Sequence, residues 1–147
     1  MLPEIYFLKY AFPCARVLVD FRKTINEEEY ERLRQAVEKD TALPREYLER
    51  IFPKAIAGMR KISDDYWNIR TIQEYFCRRH EEALSPDLPP MLKRLCIVKP
   101  GRFEKKVDGH FRVDLGNGDI RIVAPLYKDA KVGDTAMIHY GYAVEKI

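Results

Sequence analysis

Two side chains in the last third of the chain, Cys96 and His139, are the best suited to chemistry. Cys96 opens the run Cys-Ile-Val-Lys-Pro-Gly-Arg, and His139 lies within residues 132–143. A thiolate is a soft metal ligand, and an imidazole can ligate a metal or hydrogen-bond a thiolate. Basic side chains near Cys96 favour its thiolate form. They are Arg94, Lys99 and Arg102. We therefore predict that Cys96 and His139 approach each other and form a site for metal or thiol chemistry; the alternative is that both are ordinary buried residues.

The other cysteines offer a weaker case. Cys14, Cys77 and Cys96 are odd in number and widely spaced, which argues against a disulfide framework. Cys77 and His80 have the i, i+3 spacing that places two ligands on one helix face. A structural zinc site needs four ligands, and the sequence supplies no second pair near these two.

The elements predicted to hold Cys96 and His139 are short strands. From Leu95 onward, apolar residues recur largely with a spacing of two, and turn residues at Gly109 and at 116–119 separate the runs. The runs that contain Cys96 and His139 are both predicted to be strands. Arg121 alternates with two isoleucines, as on a half-exposed strand. Five or six short strands in about 55 residues favour a small closed barrel, which leaves no open sheet edge.

The residues before this region follow a helical pattern. Short helices are predicted over residues 4–11, after an Asn26 cap, after Pro44 and, following an interruption at Pro53, up to Ile62. After Pro13 the run from Val17 to Phe21 fits a helix or a strand, and its helical surroundings favour a helix. The longest predicted helix covers about residues 64–84, with Ser63 as its cap.

A proline-rich stretch separates the two patterns. Ser85–Pro90 contains three prolines in six residues, which predicts a stiff extended link and a domain boundary. We predict an α-helical domain of unassigned role over residues 1–88 and a barrel over residues 89–147. The predicted fold class is α+β with two domains, an N-terminal helical bundle followed by a small OB-like β-barrel.

Charge and motifs narrow the class of function. The formal net charge of +3 is too small to indicate a nucleic-acid binder, and from Met91 onward eleven Lys or Arg residues stand against seven Asp or Glu residues.

The sequence lacks a secretory signal and an apolar run of the roughly 18 residues that span a bilayer. We expect a cytoplasmic protein without a membrane partner. Phosphate loops, zinc-protease motifs and nucleophile elbows are absent, so we expect a protein that is not an enzyme.

The two runs together resemble the HypC/HupF family of chaperones for nickel–iron hydrogenase maturation. The first family motif, Cys-hydrophobic-x-x-Pro-Gly-Lys/Arg, is matched from Cys96 through Pro100 and Gly101 to Arg102. The second, Val-Gly-Asp-x-hydrophobic-x-hydrophobic-His-x-Gly-Phe/Tyr-Ala, is matched over residues 132–143. Its matching residues include Gly133, Asp134, His139, Gly141 and Tyr142.

This resemblance, over about residues 95–147, implies an OB-like barrel with a carrier function. The implied cargo is an iron unit with cyanide and carbon monoxide ligands, Fe(CN)2CO, held transiently and not expected in the isolated protein. Implied partners are a HypD-like maturation protein or a hydrogenase large-subunit precursor. The family's cysteine and histidine correspond to Cys96 and His139. In the family the cysteine follows the initiator methionine, whereas the backbone nitrogen of Cys96 lies in a peptide bond.

The remaining motif residues have expected roles of two kinds. Those expected to shape the barrel are Pro100, Gly101, Gly133, Asp134 and Gly141. Those expected to contact a partner are Lys99, Arg102 and Tyr142.

The alternative function is an OB-type binding module for single-stranded nucleic acid or protein, without iron chemistry. Aromatic side chains on a basic barrel can stack with bases. They are Phe103, Phe111, Tyr127, Tyr140 and Tyr142. The modest charge makes nucleic acid the less favoured partner.

Overall fold

The computed structural model describes residues 1–79 and 86–147 and divides into two compact units, Met1–Leu88 and Pro89–Ile147. The N-terminal unit is helical, and the second contains a closed five-stranded β-barrel. The α+β class, with helices followed by a β-barrel, is therefore confirmed. Among the described residues, no helix combines the length and the apolar character needed to cross a membrane.

The N-terminal unit is built from short α-helices. They are α1 (Pro3–Ala11), α2 (Ala15–Asp20), α3 (Glu27–Glu38), α4 (Arg45–Ile51), α5 (Pro53–Ile62) and α6 (Ile69–Glu74). A 3-10 turn at Phe12–Cys14 separates α1 from α2, where Pro13 predicts an interruption. A π-helical segment, Tyr75–Arg79, follows α6.

Local signals explain most helix starts. The Asn26 side-chain oxygen accepts a hydrogen bond from the Glu29 amide at 2.8 Å, so the predicted cap of α3 is confirmed. Pro44 directly precedes α4, and Pro53 is the first residue of α5. Proline suits a first helical turn because that position needs no amide hydrogen.

The predicted helix over residues 64–84 is wrong at its start. Ser63 follows the last residue of α5, and its hydroxyl donates to the Asp65 carbonyl at 3.3 Å instead of capping a new helix. Helix α6 begins at Ile69, where the Asn68 side-chain oxygen accepts from the Thr71 amide at 2.9 Å. The part of the prediction that covers residues 80–84 lies outside the described residues.

Aromatic side chains fill the core of this unit. The ring of Phe7 lies 5.7 Å from that of Phe52, 5.2 Å from Trp67 and 5.8 Å from Phe76, all near edge-to-face. Such contacts stabilise beyond the area that they bury. Phe7 itself is fully buried.

The second unit opens with a short helix, α7 (Pro90–Cys96), which corrects two predictions. The proline-rich stretch is not an extended link up to Pro90, because that residue starts α7; Ser85 lies outside the described residues. Cys96 is the last residue of α7, so the prediction that Cys96 lies on a strand is wrong.

Five strands follow α7. They are β1 (Lys99–Val107), β2 (His110–Asp114), β3 (Ile120–Pro125), β4 (Thr135–His139) and β5 (Tyr142–Lys146). Around the barrel the order is β1-β2-β3-β5-β4, and β4 pairs with β1 to close it. Neighbours are antiparallel except β3 and β5, which are parallel and share two residue pairs.

The barrel encloses an apolar core. Its buried members are Phe103, Phe111, Val113, Val123, Ala136, Ile138 and Ala143. The predicted turn at Gly109 joins β1 to β2, with Asp108 and Gly109 at φ 49° and 82°. Two successive residues with positive φ are typical of a two-residue hairpin turn.

Candidate functional site

The barrel unit brings Cys96 and His139 together. Cys96 ends α7 and His139 ends β4. The Cys96 Sγ atom lies within 4.8 Å of a ring nitrogen of His139, as the sequence predicts. Only 3% of Cys96 and 0% of His139 is exposed. A soft sulfur donor and a nitrogen donor thus lie together in one buried site.

The Tyr140 hydroxyl is a third polar group at this site. Its hydroxyl lies 2.9 Å from Cys96 Sγ, within hydrogen-bond distance. Its ring centroid lies 5.5 Å from that of His139. The backbone amide of Tyr140 donates to the Leu95 carbonyl at 3.1 Å. The β4–β5 turn is therefore attached to α7 by both a backbone and a side-chain contact.

A buried ion pair lies behind the turn. Arg121, on β3, donates through Nη1 to the Tyr140 carbonyl at 3.0 Å. Its Nε and Nη2 atoms donate to the two carboxylate oxygens of Asp119 at 3.1 and 2.8 Å. The side chains of Arg121 and Asp119 are 7% and 10% exposed. The planar guanidinium of Arg121 donates all three hydrogen bonds at once. A lysine ammonium, a point charge on a flexible chain, could not reach the same three acceptors in one plane.

Asp119 is electrostatically suited to this role. The hydrogen bond from Arg121 holds the pKa of Asp119 below its usual 3.8, although burial acts in the opposite direction. The positive charges of Arg121, Arg94 and Lys99 also lower this pKa. Asp119 is therefore ionised at neutral pH and neutralises the buried guanidinium.

Gly101 allows close packing beside the site. It lies on β1 opposite Ala136. A methyl group at Gly101 would lie 2.7 Å from side-chain carbons of Val113 and Leu115 and 3.0 Å from one of Ile138. Side-chain carbons essentially never lie that close to a neighbour, so any larger residue at this position forces these side chains to move. Pro100 is exposed and pairs with Met137.

Gly133 and Asp134 organise the opposite loop rather than the site. Gly133 has φ 94°, which glycine adopts without strain. The Asp134 carboxylate accepts hydrogen bonds from the Lys131 amide at 3.1 Å and the Tyr127 hydroxyl at 3.0 Å. Burial raises the pKa of Asp134, but these bonds and Lys146 outweigh it and the net direction is down. Asp134 is therefore ionised and fixes the loop before β4.

The remaining predicted residues lie on or near the surface. Arg102 and Gly141 are exposed, and Lys99 and Tyr142 are partly buried. Tyr142 pairs with His139 across β4 and β5, and Lys99 pairs with Ile138. Lys99 and Tyr142 therefore lie near His139 along the sheet, whereas Arg102 pairs with Thr135 at the other end of β4.

Sequence reasoning missed the roles of Tyr140, Arg121 and Asp119. An arginine between Ile120 and Ile122 suggests a solvent-facing charge, but here Arg121 is buried and the isoleucines are 48% and 49% exposed. The one available signal was the Asp-x-Arg spacing, which puts two opposite charges on one side of a strand. Nothing in the sequence indicated that a turn carbonyl would be the third partner.

Cys77, the cysteine of the weaker candidate pair, lies within the helical unit. No disulfide joins Cys14, Cys77 or Cys96. Cys77 Sγ lies 3.6 Å from the Tyr10 hydroxyl within the helical unit. His80, the second member of the weaker candidate pair, lies outside the described residues.

Comparisons of the chain with protein-family models, with curated proteins and with solved structures found no match.

Proposed function

We propose that the barrel unit is a non-enzymatic carrier for an Fe(CN)2CO unit in hydrogenase maturation, acting through Cys96 and His139. The observation that carries this proposal is the approach of Cys96 Sγ and a His139 ring nitrogen to within 4.8 Å. Sulfur and imidazole donors at such a separation can share one metal with small side-chain movements, since bonds to a metal are about 2.0–2.3 Å long. The resemblance of residues 95–147 to the HypC/HupF family supplies the nature of the cargo.

We also propose that the chain has two domains and that the barrel is of OB type. The strand order β1-β2-β3-β5-β4 and the parallel β3–β5 pair support an OB-like path. The division at Leu88 and Pro89 supports two separately folded parts.

The proposed partner is a HypD-like maturation protein or a hydrogenase large-subunit precursor. Arg102 is exposed, and Lys99 and Tyr142 are partly exposed. Lys99 and Tyr142 lie near His139 along β1 and β5, and Arg102 lies further along β1, so these three side chains are suited to contact a docked protein while the cargo passes.

The alternative, a base-stacking OB module, has less support. Phe103 and Phe111 stack on each other in the core, with centroids 4.4 Å apart, and are 1% and 3% exposed. The Tyr127 hydroxyl donates to Asp134, and the Tyr140 hydroxyl lies within hydrogen-bond distance of Cys96 Sγ. Few of the aromatic rings are therefore available to stack with bases.

The test is anaerobic transfer of the iron unit from a purified, loaded HypD-like protein. Infrared bands of bound cyanide and carbon monoxide on the re-isolated chain measure the transfer. We expect Cys96→Ser to lower it at least tenfold, because a hydroxyl is a much poorer ligand for soft metal centres than a thiolate. His139→Gln should lower it as well.

Cys77→Ser provides the matched control, since it removes a thiol of the helical unit, and it should transfer iron like the wild type. If the wild type acquires no iron and forms no complex, or if Cys96→Ser behaves like the wild type, the proposed function is wrong. Salt-sensitive binding to single strands in the same preparations would instead favour the OB-module alternative.

A further inference from the structure

We propose that Tyr140 is the positioning residue for the Cys96 thiol and that the buried Arg121–Asp119 ion pair in turn positions Tyr140. This rests on the proposed function, because it identifies what holds the proposed iron ligand in its working orientation. Neither Tyr140 nor the ion pair belongs to the two motifs as metal or thiol residues.

The side chains of Tyr140 and Cys96 are in direct contact. The Tyr140 hydroxyl and Cys96 Sγ are 2.9 Å apart, and either can donate the hydrogen bond. A thiol has a single rotatable bond to the backbone, χ1, so one directional contact is enough to select its rotamer. Since Tyr140 also lies beside the His139 ring, the same residue defines how the two donors face each other.

The backbone of Tyr140 has an unusual conformation. Its φ is 55°, in the left-handed region that residues with a side chain rarely adopt. The next residue is Gly141, which would adopt such a conformation without strain, yet Gly141 is not among the residues with positive φ. The unfavourable conformation therefore falls on the residue whose hydroxyl meets the thiol, a pattern that is concentrated at functional sites.

Hydrogen bonds on both sides of Tyr140 maintain that conformation. The Tyr140 amide donates to the Leu95 carbonyl, one residue before Cys96, at 3.1 Å. The Tyr140 carbonyl accepts from Arg121 Nη1 at 3.0 Å. Asp119 holds the rest of the guanidinium through two bonds. The backbone of Tyr140 is thus held on both sides, and Arg121 is the element that reaches it from the sheet.

The experiment measures the orientation of Cys96 directly, without iron and without a partner. Hα–Hβ coupling constants of the cysteines, recorded on the isolated full chain with labelled cysteine, give the χ1 rotamer populations. In the wild type we expect one rotamer of Cys96 to dominate. In Tyr140→Phe, which removes only the hydroxyl, the ratio of this rotamer to the others should fall about fivefold, as for the loss of one hydrogen bond.

The ion pair is tested by Arg121→Lys, which keeps the charge and removes the fork. We expect the rotamer ratio of Cys96 to fall at least twofold. The double variant Asp119→Asn, Arg121→Met removes both charges together and should have the same effect. It avoids leaving one buried charge without its counter-ion, which would endanger folding.

Matched controls separate positioning from general loosening. Tyr127→Phe removes a different tyrosine hydroxyl of the barrel, and Arg112→Lys alters an arginine whose ion-pair partner is Glu104. Both should leave Cys96 unchanged. Cys77, read in the same spectra, should keep its own populations in every variant.

An unchanged Cys96 rotamer ratio in Tyr140→Phe overturns the proposal, and so do parallel changes at Cys96 and Cys77. If the Cys96 rotamer ratio changes in Tyr140→Phe but stays the same in Arg121→Lys and in the double variant, the part of the proposal that concerns Arg121 is overturned. Because no metal is used, failure of iron transfer with the expected rotamer changes would count against the proposed function alone.

Discussion

At the scale of the residue, Gly101 shows how tightly the barrel is packed beside the site. Its hydrogen atom faces Val113, Leu115 and Ile138, which leave no room for a methyl group. The glycine of the first motif therefore has a structural reason that is independent of any cargo.

We predict that Gly101→Ala lowers the free energy of unfolding by about 1–3 kcal/mol, because an added methyl overpacks a rigid core. Urea unfolding followed by tyrosine fluorescence or circular dichroism measures it. Gly141→Ala is the matched control: a methyl there meets no atom within 4 Å, and the change should stay within about 0.5 kcal/mol. Equal effects at both glycines would contradict the packing argument.

The histidine and cysteine were predictable as a pair, but their surroundings were not. Residue types and motif spacing single out Cys96 and His139. The partners of Tyr140 depend on a reversal of inside and outside on β3, where Arg121 points inward and Ile120 outward. Burial of an arginine costs free energy unless several acceptors converge on it, and such convergence is a property of the folded chain.

At the scale of the element, the boundaries of helices show which local signals dominate. Asn26 acts as a cap as predicted, whereas Ser63 does not and Asn68 takes that role instead. Both candidates were present in the sequence within six positions. Ser63 directly follows α5, and its hydroxyl donates to the Asp65 carbonyl instead of accepting from the amide of a following helix.

We predict that Asn68→Ala lowers the free energy of unfolding by about 1 kcal/mol, the usual loss for an N-cap side chain. Ser63→Ala should cost less, because its hydroxyl makes only a local contact with Asp65. Thermal or urea unfolding of the two variants gives the comparison. A larger loss of stability in Ser63→Ala would contradict this assignment and would instead indicate a helix that starts after Ser63.

The strand pattern was mostly predictable, and its one failure is informative. The alternation of apolar residues and the turns at Gly109 and 116–119 predict β2 and β3 well. At Leu95, Cys96 and Ile97 the same alternation is a coincidence, because α7 ends there and β1 begins only at Lys99. A seven-residue helix is too short for its period to stand out from a strand pattern.

At the scale of the whole molecule, each compact unit has an apolar core of its own. The barrel core is formed entirely by residues between Phe103 and Ala143. The helical unit has its aromatic cluster around Phe7.

We predict that a fragment with residues 89–147 folds cooperatively without the helical unit. Its length of about 60 residues is near the lower limit for a domain without disulfides or metals, so its stability should be a few kcal/mol. Dispersed amide resonances and a single urea transition would be the expected result. A fragment with the spectrum of an unfolded chain would contradict the prediction.

The placement of Cys96 and His139 on elements far apart along the chain has a consequence in time. Cys96 precedes His139 and Tyr140 by about forty residues, and proteins are synthesised from the N-terminus at roughly 5–20 residues per second. For some seconds the thiol of a nascent chain has neither its histidine nor its tyrosine neighbour. During that interval no contact within the barrel restrains the thiol, and the two donors meet only after β4 and the turn that follows it have been made.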